Sequence, residues 1–323
     1  MTTPQQPIGS GFGFRSTTND VLSGISLTGK TAVVTGGYSG LGLETTQALS
    51  AAGAQVIVPA RRPDVARAEL AAVPGVRVEP MDLADLDSIY RLADALLAIG
   101  RSIDFLIGAG GVMASPETRV GPGWEGQFAI NHLGHFALTN ELWPALVAGR
   151  ARVISYSSAG HHLSGIRWDD VQFDTGYDKW LAYGQSKTAN ALFAVHLDAL
   201  GREHGVRAFS LHPGSILTPL QRHMSHDELT DRGWVDAAGN PADPTFKTLA
   251  QGAATGVWAA TSPGLSGLGG VYCEDCDIAT IADPVGPMDS GGVRDYAIDP
   301  GQAARLWRLS SELTGLDTVP TTA

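Results

Sequence analysis

The sequence is short of positive charge, of cysteine and of long apolar runs, and each shortage removes a class of protein. Lysine and arginine total 22 against 33 aspartates and glutamates, a formal net charge of −11. A chain this acidic, with no basic run, is a poor match for the phosphate backbone of DNA or RNA. Local arginines could still read a phosphorylated small molecule. No stretch approaches the roughly 18 consecutive apolar residues of a membrane-spanning helix. The first twenty residues lack the basic and apolar regions of a secretory signal, so a cytoplasmic protein without a membrane span is expected. Only Cys273 and Cys276 are present. Two cysteines make no disulfide scaffold, and Glu274 and Asp275 between them disfavour a thiolate, so both read as structural.

What remains is ample for a core. The 323 residues are 43% hydrophobic and 17% charged, which excludes global disorder. The 40 glycines lie mostly at element ends, which implies tight turns between strands and helices. Residues 1–29 read as an extension, with Thr18-Asn19-Asp20 placed to cap a short helix through Leu22. From Lys30 a strand–helix alternation begins. Apolar runs at Thr31–Thr35, Gln55–Pro59, Val76–Pro80, Ile103–Ile107, Arg152–Tyr156 and Val206–Leu211 predict strands. Between them, helices are predicted over about Leu41–Ala52, Asp64–Leu70, Asp85–Ile99, Trp124–Val147 and Leu181–His204. Continuous rather than alternating apolar runs indicate strands buried on both faces. That order predicts an α/β fold, a doubly wound and mostly parallel sheet with helices on both faces. Nothing resembles a linker, so residues 30–323 are expected to form one domain. Two long insertions, 159–181 and 213–245, follow the carboxyl ends of strands, where such sheets bind ligands.

Three local patterns carry chemistry. Thr35-Gly36-Gly37-Tyr38-Ser39-Gly40-Leu41-Gly42 joins the first strand to the first helix. Glycines there admit a pyrophosphate, and the helix N-terminus offers unpaired N–H groups and the positive end of its dipole. The second strand ends at Pro59-Ala60-Arg61-Arg62, with no carboxylate to accept from a ribose 2′-hydroxyl and two guanidiniums suited to a 2′-phosphate. This favours NADP(H), with NAD(H) the alternative. Tyr183 and Lys187 stand four apart, so both fall on one helix face. An ammonium beside a phenol favours phenolate and lowers its pKa.

The glycine spacing and the downstream Tyr-x-x-x-Lys resemble the short-chain dehydrogenase/reductase family, in its single-domain, Rossmann-type form. Retinol-dehydrogenase-like and carbonyl-reductase-like members are the nearest in pattern. The resemblance covers roughly residues 28–280. It implies a catalytic set of Asn131, Ser158, Tyr183 and Lys187, with Ser157 the lesser candidate for the serine. Asn131 is implied to bend its helix and hold a relay water, and Ser158 to polarise the substrate oxygen. Gly36, Tyr38, Ser39, Gly40, Leu41 and Gly42 are the implied cofactor turn. Asp82 and Leu83 match the adenine contact, although a plain helix N-cap is the competing reading of Asp82. Gly108, Gly110, Tyr183, Lys187, Pro213, Gly214 and Thr218 complete the implied cofactor site, Thr218 facing the carboxamide. His132 and His135 read as helix packing, with no metal implied; Asn190 and Phe193 read the same way.

One departure stands out. Where the family usually carries Asn-Asn-Ala-Gly, this chain has Gly108-Ala109-Gly110-Gly111, which puts cofactor affinity and the sheet centre in doubt more than the chemistry. The implied activity is hydride transfer between NADP(H) and a small-molecule carbonyl or secondary alcohol, with Tyr183 as general acid/base. Trp168, Phe173, Trp180, Trp234 and Phe246 could build a wall for a bulky apolar substrate. Alternatives are C=C (ene) reduction on the same scaffold, a catalytically silent dinucleotide sensor or scaffold, and, least favoured by the glycine spacing, a nucleotide-sugar epimerase. Relatives assemble as homodimers or homotetramers, and the insertion before Tyr183 accompanies monomers in some, so the oligomeric state stays open.

Overall fold

The computed structural model describes residues 3–319; residues 1, 2 and 320–323, and with them the outer ends of the expected extension and domain, lie outside the described residues. Eight strands form the central sheet: β1 (Thr31–Thr35), β2 (Gln55–Ala60), β3 (Val76–Pro80), β4 (Phe105–Gly108), β5 (Arg152–Tyr156), β6 (Arg207–His212), β7 (Val271–Glu274) and β8 (Asp277–Ile278). Their order is β8-β7-β6-β5-β4-β1-β2-β3. All neighbours are parallel except β8, which returns antiparallel on β7. Ala32 sits opposite both Val56 and Phe105, and Ile154 opposite both Ile107 and Phe209. This is the doubly wound sheet that the apolar runs predict.

Every residue of β1 is buried, because helices cover both faces. On one face α1 (Gly40–Ala51) and α5 (Leu249–Thr261) press Leu49, Val257 and Trp258 onto Val34, Ile107 and Phe209. On the other, α2 (Leu86–Ala98) turns Ile89, Leu92, Ala93 and Leu96 inward, the three-and-four spacing of an amphipathic helix. It packs there with α3 (residues 126–141), α4 (Lys179–Gly201) and α6 (Pro300–Thr314), bringing Phe136, Phe193 and Trp307 against Val33, Leu106 and Val153.

The helix expected over Trp124–Val147 is corrected in three places. Trp124 and Glu125 are a short strand paired with Arg119–Val120, so the helix begins at Gly126. The Glu125 carboxylate caps it by accepting the N–H groups of Gln127 and Phe128. The run α3 then comprises Gly126–Phe128, a π-helical turn at Ala129–Leu133 and Gly134–Glu141. A separate helix, Trp143–Gly149, starts where Pro144 removes a backbone donor. At the other end of the chain, Thr17 rather than Thr18 caps the helix Thr18–Val21.

The segment before β1 runs to the far edge of the sheet. The Gln5 amide donates to Tyr272 O and Ala279 O and accepts the Tyr272 N–H. The Asp277 carboxylate accepts the N–H groups of Ile8, Gly9 and Ser10. An edge that would otherwise offer free pairing groups is thereby covered.

Candidate active site

The strand order reverses between β1 and β4, and a crevice opens at their carboxyl ends, the place where such sheets take ligands. A cleft of about 560 Å³ lies there. Gly36, at φ +67°, makes the turn out of β1, and a Cβ on it would lie 2.8 Å from Gly110 Cα. Only glycine fits this approach of the two loops. Ser39 stands at the N-cap of α1, yet its side chain makes no capping bond. The first-turn N–H groups of α1 are thus not taken by a side chain and face the cleft, the arrangement a phosphate requires.

The outer end of the cleft is basic. Arg61 and Arg62 line it with Tyr38, and so does Arg222, which the sequence reading missed. Arg222 follows the one-turn helix Pro219–Gln221 and donates to Pro219 O. Burial and the charges of Arg61 and Arg62 hold its guanidinium below the usual value, a cluster of like charges that an anion would relieve. Asp82 and Leu83 also line the cleft, Leu83 beside Gly110. The capping alternative for Asp82 falls: Asp85 caps α2 by accepting the Asp87 N–H, while Asp82 accepts only within its own turn, from Ala84 N–H.

The inner end holds the expected catalytic side chains. Asp178 caps α4, and one turn and a half on, Tyr183 and Lys187 enter the cleft, both buried. The Lys187 ammonium donates to Tyr156 O at 2.9 Å and lies 5.6 Å from the Tyr183 ring centroid. Burial pushes Lys187 down to about 8. Burial also pushes Tyr183 up to about 12, opposed by its hydrogen bond with the Ser158 hydroxyl. The expected depression of the tyrosine by Lys187 is not seen: desolvation is the larger cause of the shift, and the Lys187 ammonium is turned toward the Tyr156 carbonyl.

Ser158 ends the extended backbone after β5 and its Oγ accepts the Gly160 N–H at 3.0 Å. A Cβ on Gly160 would lie 2.7 Å from Tyr183 Cε1, so the phenol ring rests directly on this turn. Ser157 donates its hydroxyl to Lys187 O at 2.7 Å. That bond occupies its proton and leaves Ser158 as the serine with a hydroxyl to offer.

Asn131 lies in the π-helical turn of α3. Its amide brackets Val112, accepting its N–H at 2.8 Å and donating to its O at 2.9 Å, and donates to Ser186 Oγ. Its own carbonyl accepts from Asn190 Nδ2 and His135 Nδ1. The glycines at 108–111 also find their explanation here. A Cβ at Gly108 would meet the His135 ring at 3.0 Å, and one at Gly111 would meet Asn131 Oδ1 at 2.8 Å. The His135 imidazole fills the space beside Gly108 and accepts from Thr35 Oγ1, which in turn accepts the Gly110 N–H. A ring from α3 thus steadies the sheet centre. His132 is packing, as expected: it bonds Ser310 Oγ among Phe128, Phe136 and Phe193.

The expected aromatic wall divides. Trp180, Trp234 and Phe246 line the cleft with Met113. Trp168 and Phe173 do not: Trp168 donates to Gln302 beneath the Arg305 guanidinium, and Phe173 is buried under Arg167. Arg232 stacks on Trp180, 3.9 Å from its ring centroid. Pro213, Gly214 and Thr218 also border the cleft. Thr218 Oγ1 caps Pro219–Gln221, and its Cβ would lie 3.3 Å from a Cβ on Gly40, so it stands across the glycine turn. Cys273 and Cys276 are free, buried and away from the cleft, and burial pushes both thiols up.

Fold and cleft together define a Rossmann-type dinucleotide-binding protein. The family model for short chain dehydrogenase matches residues 30–229, and the chain belongs to the short-chain dehydrogenase/reductase family of NAD(P)-dependent oxidoreductases, which act on CH–OH and C=O groups. A Streptomyces lividans protein named "Probable oxidoreductase" is 43% identical over 298 residues, covering 89% of this chain and 98% of its own length. Human retinol dehydrogenase 12 is 34% identical over 301 residues, covering 90% of this chain and 88% of its own. Among solved structures, an uncharacterised protein from Mycobacterium paratuberculosis is similar with a TM-score of 0.70 at 31% identity, covering 95% of this chain and all of its own. The Pseudomonas aeruginosa RhlG/NADP active-site complex is similar with a TM-score of 0.59 at 25% identity, covering 77% of this chain and 95% of its own. No helix among the described residues is long and apolar enough to cross a membrane.

Proposed function

We propose that this chain transfers hydride reversibly between NADP(H) and the carbonyl or secondary alcohol of a bulky apolar molecule. The observation that carries the reading is the meeting, in one cleft, of the glycine turn with buried Tyr183 and Lys187 and half-buried Ser158. A nicotinamide dinucleotide held with its pyrophosphate at the glycine turn would supply or take the hydride; the protein supplies orientation and proton handling. Ser158 donates its hydroxyl hydrogen to the substrate oxygen. Tyr183 gives that oxygen its proton in reduction and takes it back in oxidation. Lys187 places a cation at the inner end of the cleft, where it can hold the nicotinamide ribose. Asn131, whose amide is engaged with Val112 and Ser186, holds the cleft-lining loop at Val112–Met113 in place. Trp180, Trp234 and Phe246 favour an apolar substrate body, and the retinol dehydrogenases among its relatives support the same choice.

Arg61, Arg62 and Arg222 support the choice of NADP(H). Charge-assisted hydrogen bonds are worth about 1.5–3 kcal/mol each, so Arg61→Ala combined with Arg222→Ala should weaken NADPH binding about 100-fold or more. NADH, lacking the 2′-phosphate, should bind within about twofold of the parent. Fluorescence titration of both cofactors checks this. Equal losses for the two would remove the arginines from 2′-phosphate recognition. Turnover is tested by following absorbance at 340 nm with NADPH and a panel of aldehydes, ketones and enones that includes retinal. A chain that binds NADPH tightly and turns over none of them would favour the sensor reading.

A further inference from the structure

We propose that His161 and His212 clamp the peptide unit following Ser158 and so aim its hydroxyl; both act as positioning residues, and the inference rests on the reading of Ser158 as the donor to the substrate oxygen. The peptide between Ser158 and Ala159 is held at both ends by an imidazole. Its carbonyl, Ser158 O, lies 2.6 Å from His161 Nδ1. Its amide, Ala159 N–H, donates to His212 Nδ1 at 3.1 Å. The two rings come from different elements. His161 sits on the one-turn 3-10 helix Ala159–Leu163, and His212 is the last residue of β6.

These partners dictate the tautomers. A carbonyl only accepts, so His161 carries its proton on Nδ1. Its Nε2 is then an acceptor, and Arg294 N–H donates to it at 3.1 Å. An amide N–H only donates, so His212 accepts at Nδ1 and carries its proton on Nε2. The rings are locked in opposite tautomers, both neutral. A peptide plane gripped at its oxygen and its nitrogen resists rotation, so Ser158 stays extended at φ −171° and ψ 159°. With Ser158 Oγ accepting from Gly160 N–H, the hydroxyl hydrogen remains to be offered into the cleft.

The surroundings keep both rings uncharged. His161 faces the His162 ring at 4.4 Å, the Tyr272 hydroxyl at 3.4 Å and Arg294, and its own carbonyl accepts from Tyr296. His212 faces Lys247 and His162. Burial holds each ring down at about 3. A proton gained by either would land on a nitrogen already accepting a backbone N–H. Segment 291–297 takes part through Arg294, which fixes the His161 tautomer without lining the main cleft.

Two measurements test the clamp. The first uses the intact chain labelled with ¹⁵N-histidine and long-range ¹H–¹⁵N spectra between pH 6 and 8. His161 should show the Nδ1–H tautomer and His212 the Nε2–H tautomer, with no titration. The opposite tautomer for either ring, or a midpoint near 6.5, would overturn the proposal. The second is a double-mutant cycle with NADPH and the best substrate of the carbonyl panel. His212→Leu removes the acceptor, and His212→Asn keeps one. His212→Leu should lower kcat about tenfold or more with KM and NADPH affinity within about twofold, while His212→Asn retains most activity. In a Ser158→Ala background His212→Leu should cost nothing further, because its effect runs through the missing hydroxyl. Multiplicative losses in that background would mark His212 as merely structural and overturn the clamp. Unchanged activity of Ser158→Ala alone would instead overturn the reading of Ser158, a result distinct from failure of the clamp.

Discussion

Tyr183→Phe should lower turnover at least about a thousandfold while leaving NADPH affinity within about twofold. The substitution removes one oxygen and keeps the ring that rests on Gly160, so packing survives. What is lost is the group proposed to hand a proton to the substrate oxygen. General acid–base catalysis contributes roughly 10²–10⁴-fold, and a thousandfold loss is about 4 kcal/mol of transition-state stabilisation. Binding titration beside stopped-flow turnover separates the two effects. A variant retaining a tenth of the activity would remove Tyr183 from the proton path.

The same residue sets a pH signature. With Tyr183 pushed up to about 12 by burial, the phenol is protonated across the neutral range. Carbonyl reduction uses that protonated form and should be nearly flat from pH 6 to 8. Alcohol oxidation uses the phenolate, whose fraction rises tenfold per pH unit below the pKa, so oxidation should climb steeply over the same interval. Lys187, pushed down to about 8, begins to lose its charge at the upper end. Oxidation that falls as pH rises would contradict this assignment.

The second large effect is acid instability. His132, His135 and His161 are each less than 10% exposed. Burial holds them at about 3, about 4 and about 3. An unfolded histidine titrates near 6.5, so between about 6.5 and these values the unfolded chain binds more protons than the folded one. The folded pKa values are depressed, so the stability these rings contribute is present in full above 6.5 and is lost as pH falls. One unit below 6.5 each ring costs about 1.4 kcal/mol, or roughly 4 kcal/mol for three at pH 5.5. That is a large share of the roughly 5–15 kcal/mol that holds a folded chain together. His212 borders the open cleft and is left out of the sum. Urea denaturation at pH 7.5 and 5.5 should show the midpoint falling sharply, and His132→Gln should flatten the dependence. A midpoint unchanged between the two pH values would mean the three rings are not buried neutral groups.

Much of this was legible in the sequence, for physical reasons. The strands are short apolar runs buried on both faces, and such runs announce themselves. The glycine turn and the Tyr183–Lys187 pair are local patterns that need no knowledge of distant contacts. The pieces that were missed depend mostly on residues far apart in sequence or on burial. Arg222 joins Arg61 and Arg62 from a distant insertion, and one of two arginines in an acidic insertion gives no signal beyond its charge. Trp168 and Phe173 looked like cleft residues because they lie in the insertion, but Gln302 and Arg167 draw them elsewhere. The lowered tyrosine pKa expected from spacing failed because spacing reports a neighbouring charge and says nothing of desolvation. The Gly108–Gly111 departure became intelligible only once His135 was seen filling the space beside Gly108.

The central claim is hydride delivery to a carbonyl carbon, and isotope transfer tests it most directly. Reduction of an enone or enal by NADPH carrying deuterium as the transferred C4 hydride, with the product read by mass spectrometry and NMR, locates the new bond. One deuterium on the carbinol carbon, with the C=C bond intact, is the predicted result. Deuterium on the carbon β to an intact carbonyl would contradict it and assign the chain to C=C reduction.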